Sequence, residues 1–168
     1  MSIVRSSRVL AVGTLLAAAP WAMAQEVKES VHLVIAGGKN PGSYDVTGTR
    51  GGCSAGLSGP GSFGNQLSSP GEKDPKKLNS LQLIVPDAKA AAAGTKTFYL
   101  KVGFGPLMSR SAEYEVDTRA EAKPAKGSGT VTVQDGGSSG KVTFSATTVD
   151  GVKLDGTIDC KSILRGGS

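Results

Sequence analysis

The chain has 168 residues, 24 of them glycine and only 5% aromatic, with 19 basic against 14 acidic side chains. That length holds one domain with a genuine core and falls short of two comfortable ones. The basic residues are scattered, with Lys73, Lys76 and Lys77 interrupted by Asp74 and Pro75; no stripe follows a phosphate backbone, which argues against nucleic acid as a partner.

Arg5 and Arg8 precede an apolar run at residues 9–19, and Ala22-Met23-Ala24 supplies a small-x-small end. This is the layout of a secretory signal peptide over residues 1–24, leaving a domain at 25–168. The run is short of the roughly 20 apolar residues that span a bilayer, so no membrane span is expected in the mature chain. The leader takes two basic residues and no acidic one, so 17 remain against 14. Export to the periplasm or beyond predicts that Cys53 and Cys160, the two cysteines, form a disulfide. A reactive thiol or metal pair is the poorer reading, because there is no C-x-x-C spacing and His32 is the sole histidine.

From there the pattern is strand, turn, strand. Val31, Leu33 and Ile35 alternate with polar or smaller neighbours until Gly37 and Gly38 break the run, and a second strand is expected over residues 43–49 with Tyr44 and Val46. The glycine-rich segment 51–61 has Cys53, Ala55 and Leu57 at alternate positions, the mark of a short, kinked strand. Residues 58–77 hold glycine, proline, serine and charges, with Phe63 and Leu67 the only large apolar side chains, and read as a long exposed loop. Leu81, Leu83 and Val85 mark a strand that stops at Pro86; Asp87 then caps a brief helical turn through the alanines to Gly94. Phe98, Leu100, Val102 and Phe104 give the strongest alternation and predict a central strand closed by Gly105-Pro106. Glu113, Glu115 and Asp117 alternate with Tyr114 and Val116, so one face of that strand is charged and the other buried. A polar linker at 119–129 leads to Val131 and Val133 and a turn at 135–140.

The last hairpin fixes its own register. A two-residue Asp150-Gly151 loop would set the apolar residues of the two arms on opposite faces. A three-residue loop, Val149-Asp150-Gly151 with Gly151 left-handed, instead pairs Thr148 with Val152, Ala146 with Leu154, Phe144 with Gly156 and Val142 with Ile158, all apolar residues on one face. Phe144 then covers the bare backbone of Gly156.

Seven to nine short strands with turns every ten or so residues predict a single-domain antiparallel β-sandwich of immunoglobulin-like architecture, pinned by one disulfide. The tryptophan of a true immunoglobulin core is missing, since Trp21 leaves with the leader.

Motifs that could carry chemistry are weak. Gly59-Pro60-Gly61-Ser62-Phe63-Gly64 matches G-x-G-x-x-G but lacks the following helix that would meet a pyrophosphate. His32 would have to serve any Ser-His or Cys-His pair, yet no G-x-S-x-G elbow presents a serine. Paired carboxylates such as Glu113 and Glu115 can serve glycoside hydrolysis, although charged rows on exposed strands are commoner. Asp150, Asp155 and Asp159 lack the spacing of a calcium loop. No cofactor and no metal are expected. Phe63, Tyr44 and Tyr99 are the aromatic residues available for a contact surface, Phe63 preferentially as a plug for its loop. The expectation is an exported, non-enzymatic module that acts by surface contact on a protein or glycan partner, with small-ligand or carbohydrate binding as the alternative and a hydrolase using the Glu113/Glu115 face as the least favoured.

Overall fold

The computed structural model describes residue 26 and residues 28–166; the leader, with Trp21, lies outside the described residues. In chain order the strands are β1 (Glu29–Ala36), β2 (Gly42–Gly48), β3 (Gly51–Ala55), β4 (Phe63–Ser68), β5 (Leu78–Val85), β6 (Tyr99–Phe104), β7 (Ala112–Asp117), β8 (Ser128–Asp135), β9 (Gly140–Thr147), β10 (Lys153–Cys160) and β11 (Ile163–Arg165), with one helical turn, α1 (Ala88–Ala91), after β5. They form a five-stranded sheet in the order β2-β1-β10-β9-β8 and a six-stranded sheet in the order β11-β3-β4-β5-β6-β7. The protein is therefore an all-β sandwich of two packed sheets.

The strand count exceeds the seven to nine expected, and two of the extra strands have clear causes. Residues 58–77 are not one long loop. Phe63, Asn65 and Leu67 point inward from β4, and only every second position needs to be apolar or partnered for a strand to bury one face. The second is β11, which leaves the first sheet after Cys160 and pairs in parallel with β3, Ile163 beside Cys53. All other neighbours are antiparallel.

The terminal hairpin adopts the predicted register, with Leu154 opposite Ala146, Gly156 opposite Phe144 and Ile158 opposite Val142. Thr148 N donates to Val152 O at 2.9 Å, and Gly151 closes the loop at φ +83°. A Cβ on Gly156 would lie 2.5 Å from Phe144 Cζ, so the ring does rest on bare backbone. Asp87 caps α1 as expected, its Oδ1 accepting from Ala90 N at 2.9 Å.

The core is built from the facing rows of the two sheets: Val31, Leu33, Ile35, Val142, Phe144, Leu154 and Ile158 from one, and Phe63, Leu67, Leu81, Leu83, Leu100, Val102 and Phe104 from the other. Each such side chain contributes about 1.5–3 kcal/mol on leaving water. The start of β1 rests on β4, where Glu29 meets Asn65, whereas the turn after it rests on β7, where Lys39 N donates to Tyr114 Oη at 2.9 Å. The strands of the first sheet thus run obliquely across those of the second. The Cys53–Cys160 disulfide joins the sheets at the β3 side, with 5.8 Å between Cα atoms and 107 positions between the residues.

Candidate functional site

The outer face of the six-stranded sheet divides into two halves. Strand pairing aligns Gly52, Gln66, Gln82, Lys101 and Glu115 in one cross-strand row and Ser54, Gly64, Ile84, Tyr99 and Asp117 in the next. In the half nearer β3, Gly52 and Gly64 contribute no side chain, and the sheet is grooved. This open groove of about 310 Å³ is lined by Ser54, Gln66, Gln82 and Ile84 among others. Its lip is apolar, because Leu57 and Leu164 stay 55% and 65% exposed. Leu164 reaches this place because β11 pairs it with Ser54.

In the other half every acidic group of β7 is engaged. Glu113 meets Lys101 at 2.8 Å and Arg110 at 3.3 Å, Glu115 meets Lys126 at 2.8 Å, and Asp117 meets Arg119 at 2.8 Å. The Asp117–Arg119 pair is two-pronged, with Arg119 Nε donating to Asp117 Oδ1 at 2.9 Å. That hydrogen bond holds the Asp117 carboxyl below the usual aspartate range against the opposing effect of its partial burial. The hydrogen bond that Lys101 donates to Glu113 likewise raises the Lys101 ammonium above its ordinary value. A general acid needs its carboxyl held protonated, which cationic neighbours oppose.

The aromatic residues singled out from the sequence do not converge. Phe63 is fully buried in the core and offers no surface. Tyr44 lies on the five-stranded sheet, edge-on to Phe104 at 4.9 Å, and its hydroxyl donates to Asn40 O at 3.0 Å. Tyr99 borders the groove through Ile84, but Arg119 covers one ring face at 4.7 Å. Burial raises the Tyr99 phenol above its ordinary value. His32 is exposed on the outer face of the first sheet, 2.7 Å from Asp45. Among the described residues no group of three His, Cys, Asp or Glu is placed to hold a metal ion.

Two further features escape the sequence reading. The groove residues Gln66 and Gln82 were signalled only by glycines inside strands, which mark close approach or an open surface. The second is a buried polar pair: Asn65 Nδ2 donates to Glu29 Oε2, and both side chains lie within the sandwich beside the disulfide, Asn65 Nδ2 being 3.6 Å from Cys53 Sγ. Glu29 Oε1 and Asn65 Oδ1 have no hydrogen-bond partner among the described residues. Its sequence signal is the phase: Glu29 falls in step with Val31, Leu33 and Ile35, and Asn65 with Phe63 and Leu67.

These features define a disulfide-pinned all-β sandwich with a grooved outer sheet face. No family model, curated protein or solved structure matches the chain.

Proposed function

We propose that the protein is an exported, non-enzymatic binding module that holds its partner by surface contact, and that the groove on the six-stranded sheet is the contact. The groove itself carries this reading: a bare backbone floor flanked by two amides and a hydroxyl, Gln66, Gln82 and Ser54, with an exposed apolar lip at Leu57 and Leu164. Large apolar side chains left in water beside unpaired polar groups mark contact surfaces. The signal-like leader and the disulfide support export. Among the described residues no helix is long and apolar enough to cross a membrane.

The ion pairs of Glu113, Glu115 and Asp117 favour a structural role for that row over catalysis. Carbohydrate binding is the second reading, favoured by the neighbouring amides beside Ile84, which suit a ligand with both hydroxyls and apolar ring faces. The packing of Tyr44 against Phe104 and the Arg119 guanidinium over one face of Tyr99 weigh against stacking as its main force.

The test is partner capture by the exported protein, together with a glycan array, using the parent and the variants Gln82→Ala and Leu164→Asp. Binding lost in both variants with unchanged melting supports the groove; binding retained in both overturns it. Turnover that disappears in Glu113→Gln or Glu115→Gln would restore the hydrolase.

A further inference from the structure

The end of the sandwich where β6 passes into β7 carries an apolar tip. Leu107 is 53% and Met108 95% exposed. Their loop is braced: Gly105 N donates to Lys77 O at 3.1 Å, Ser109 N to Pro106 O at 3.0 Å and Ser111 N to Phe104 O at 3.0 Å. Arg110 Nη1 donates to Ser80 Oγ at 2.7 Å. The frame keeps both apolar side chains outward, a cost the fold would shed by turning them inward if nothing covered them in use.

Neighbouring loops bring positive charge to this tip. Pro75 O accepts from Ser111 Oγ and lies 3.5 Å from Asn40 Nδ2, which ties the β4–β5 and β1–β2 connections to the loop. Lys39, Lys73 and Lys76 are exposed and make no ion pair among the described residues, while Lys77 sits 3.7 Å from Glu72. The same connection carries two carboxylates, Glu72 and Asp74, against these four lysines, and both also accept from backbone amides. Glu72 Oε1 accepts from Lys73 N and Asp74 N, and Asp74 Oδ1 from Lys76 N, each at 2.9 Å. Glu113, the next carboxylate along, is held by Lys101 and Arg110.

We propose that this end docks on an anionic lipid surface, with Leu107 and Met108 entering the boundary of the acyl chains and the four lysines lying against headgroup phosphates. An apolar tip beside basic residues gains from both the hydrophobic and the surface-potential terms at such a membrane. Lysines on long exposed stems are compact, mobile charges that suit fluid headgroups, whereas protein interfaces prefer the planar arginine fork. β6 runs from Tyr99, beside the groove, to Phe104, beneath the tip, so the docked end leaves the groove clear of the lipid.

Met108→Trp reports on the loop itself. Phosphatidylglycerol vesicles shift its emission to the blue relative to the same variant in vesicle-free buffer, phosphatidylcholine vesicles do not, and added salt reverses the shift. Paired Leu107→Asp and Met108→Asp weaken sedimentation with phosphatidylglycerol vesicles by about tenfold or more. Val34→Asp, at an exposed apolar position on the other sheet, leaves it unchanged. A tip with no blue shift on either vesicle, one that shifts equally on phosphatidylcholine, or an equal loss from Val34→Asp overturns the proposal; the first of these outcomes points to a protein contact instead.

Discussion

Glu29 of β1 and Asn65 of β4 meet across the two sheets, beside the disulfide and shut away from water. Burial raises the Glu29 carboxyl above the ordinary glutamate value of 4.5, and the hydrogen bond from Asn65 only partly opposes it. The folded protein therefore binds this proton more tightly than the unfolded chain. The stabilisation that follows is complete below the unfolded value and is lost as pH rises through the folded one. Glu29→Gln keeps the shape and removes the ionisation, so its melting temperature exceeds the parent's at neutral pH and approaches it in acid. Melting curves across pH check this, and a variant with the parent's pH dependence in that window contradicts it. Asp117, lowered chiefly by its hydrogen bond from Arg119, acts in the opposite sense, losing its contribution as pH falls below the usual aspartate value of 3.8.

The terminal hairpin separates two costs of adding a side chain to glycine. At Gly151 the obstacle is conformation alone, since φ is +83° and nothing lies within 4 Å of an added Cβ. Gly151→Val loses about 2 kcal/mol. At Gly156 an added Cβ would stand 2.5 Å from Phe144 Cζ and 2.6 Å from His32 O, and the backbone oxygen is fixed by the sheet. Gly156→Ala therefore costs about 3 kcal/mol. Denaturant titration distinguishes them, and near-parent stability in Gly156→Ala would remove the aromatic cover from the account.

Phe63 fills the core where β4 pairs with both β3 and β5. Phe63→Ala removes a fully buried ring and destabilises by about 3–5 kcal/mol. The groove lies on the opposite face of the same strand, so under the proposed binding function what remains folded binds with the parent's affinity. Reduced affinity at full folding would mean that the ring supports the contact surface as well as the core.

Most of the frame was legible because inward rows of apolar residues alternate wherever a strand needs only packing. Val142 to Ile158 fixed a register from that rule and one glycine, and Asp87 marked its helical turn. The rule failed at β4, where two of six residues are large and apolar and Asn65 occupies an inward position. Its partner Glu29 sits on another sheet, and a pairing across sheets leaves no local trace. β11 was equally hidden: three residues, exposed in part, pair with β3 next to the disulfide and are held there by contacts to the distant 135–138 turn, which leave no local pattern. The groove follows from glycines whose neighbours across three strands have to be known before an absence of side chains becomes a shape.

The disulfide also decides how the fold answers a pull on its two ends. A load entering at β1 passes through β2 to Cys53, crosses to Cys160 and leaves through β11, so the covalent path bypasses the segment between the two cysteines. Only the β1–β2 hairpin and the short β11 can be stripped away while that bond stands. The floor of the groove, borne largely on β4 and β5, lies inside the sheltered segment, whereas its Leu164 lip rides on β11 and is the part that tension would carry off first.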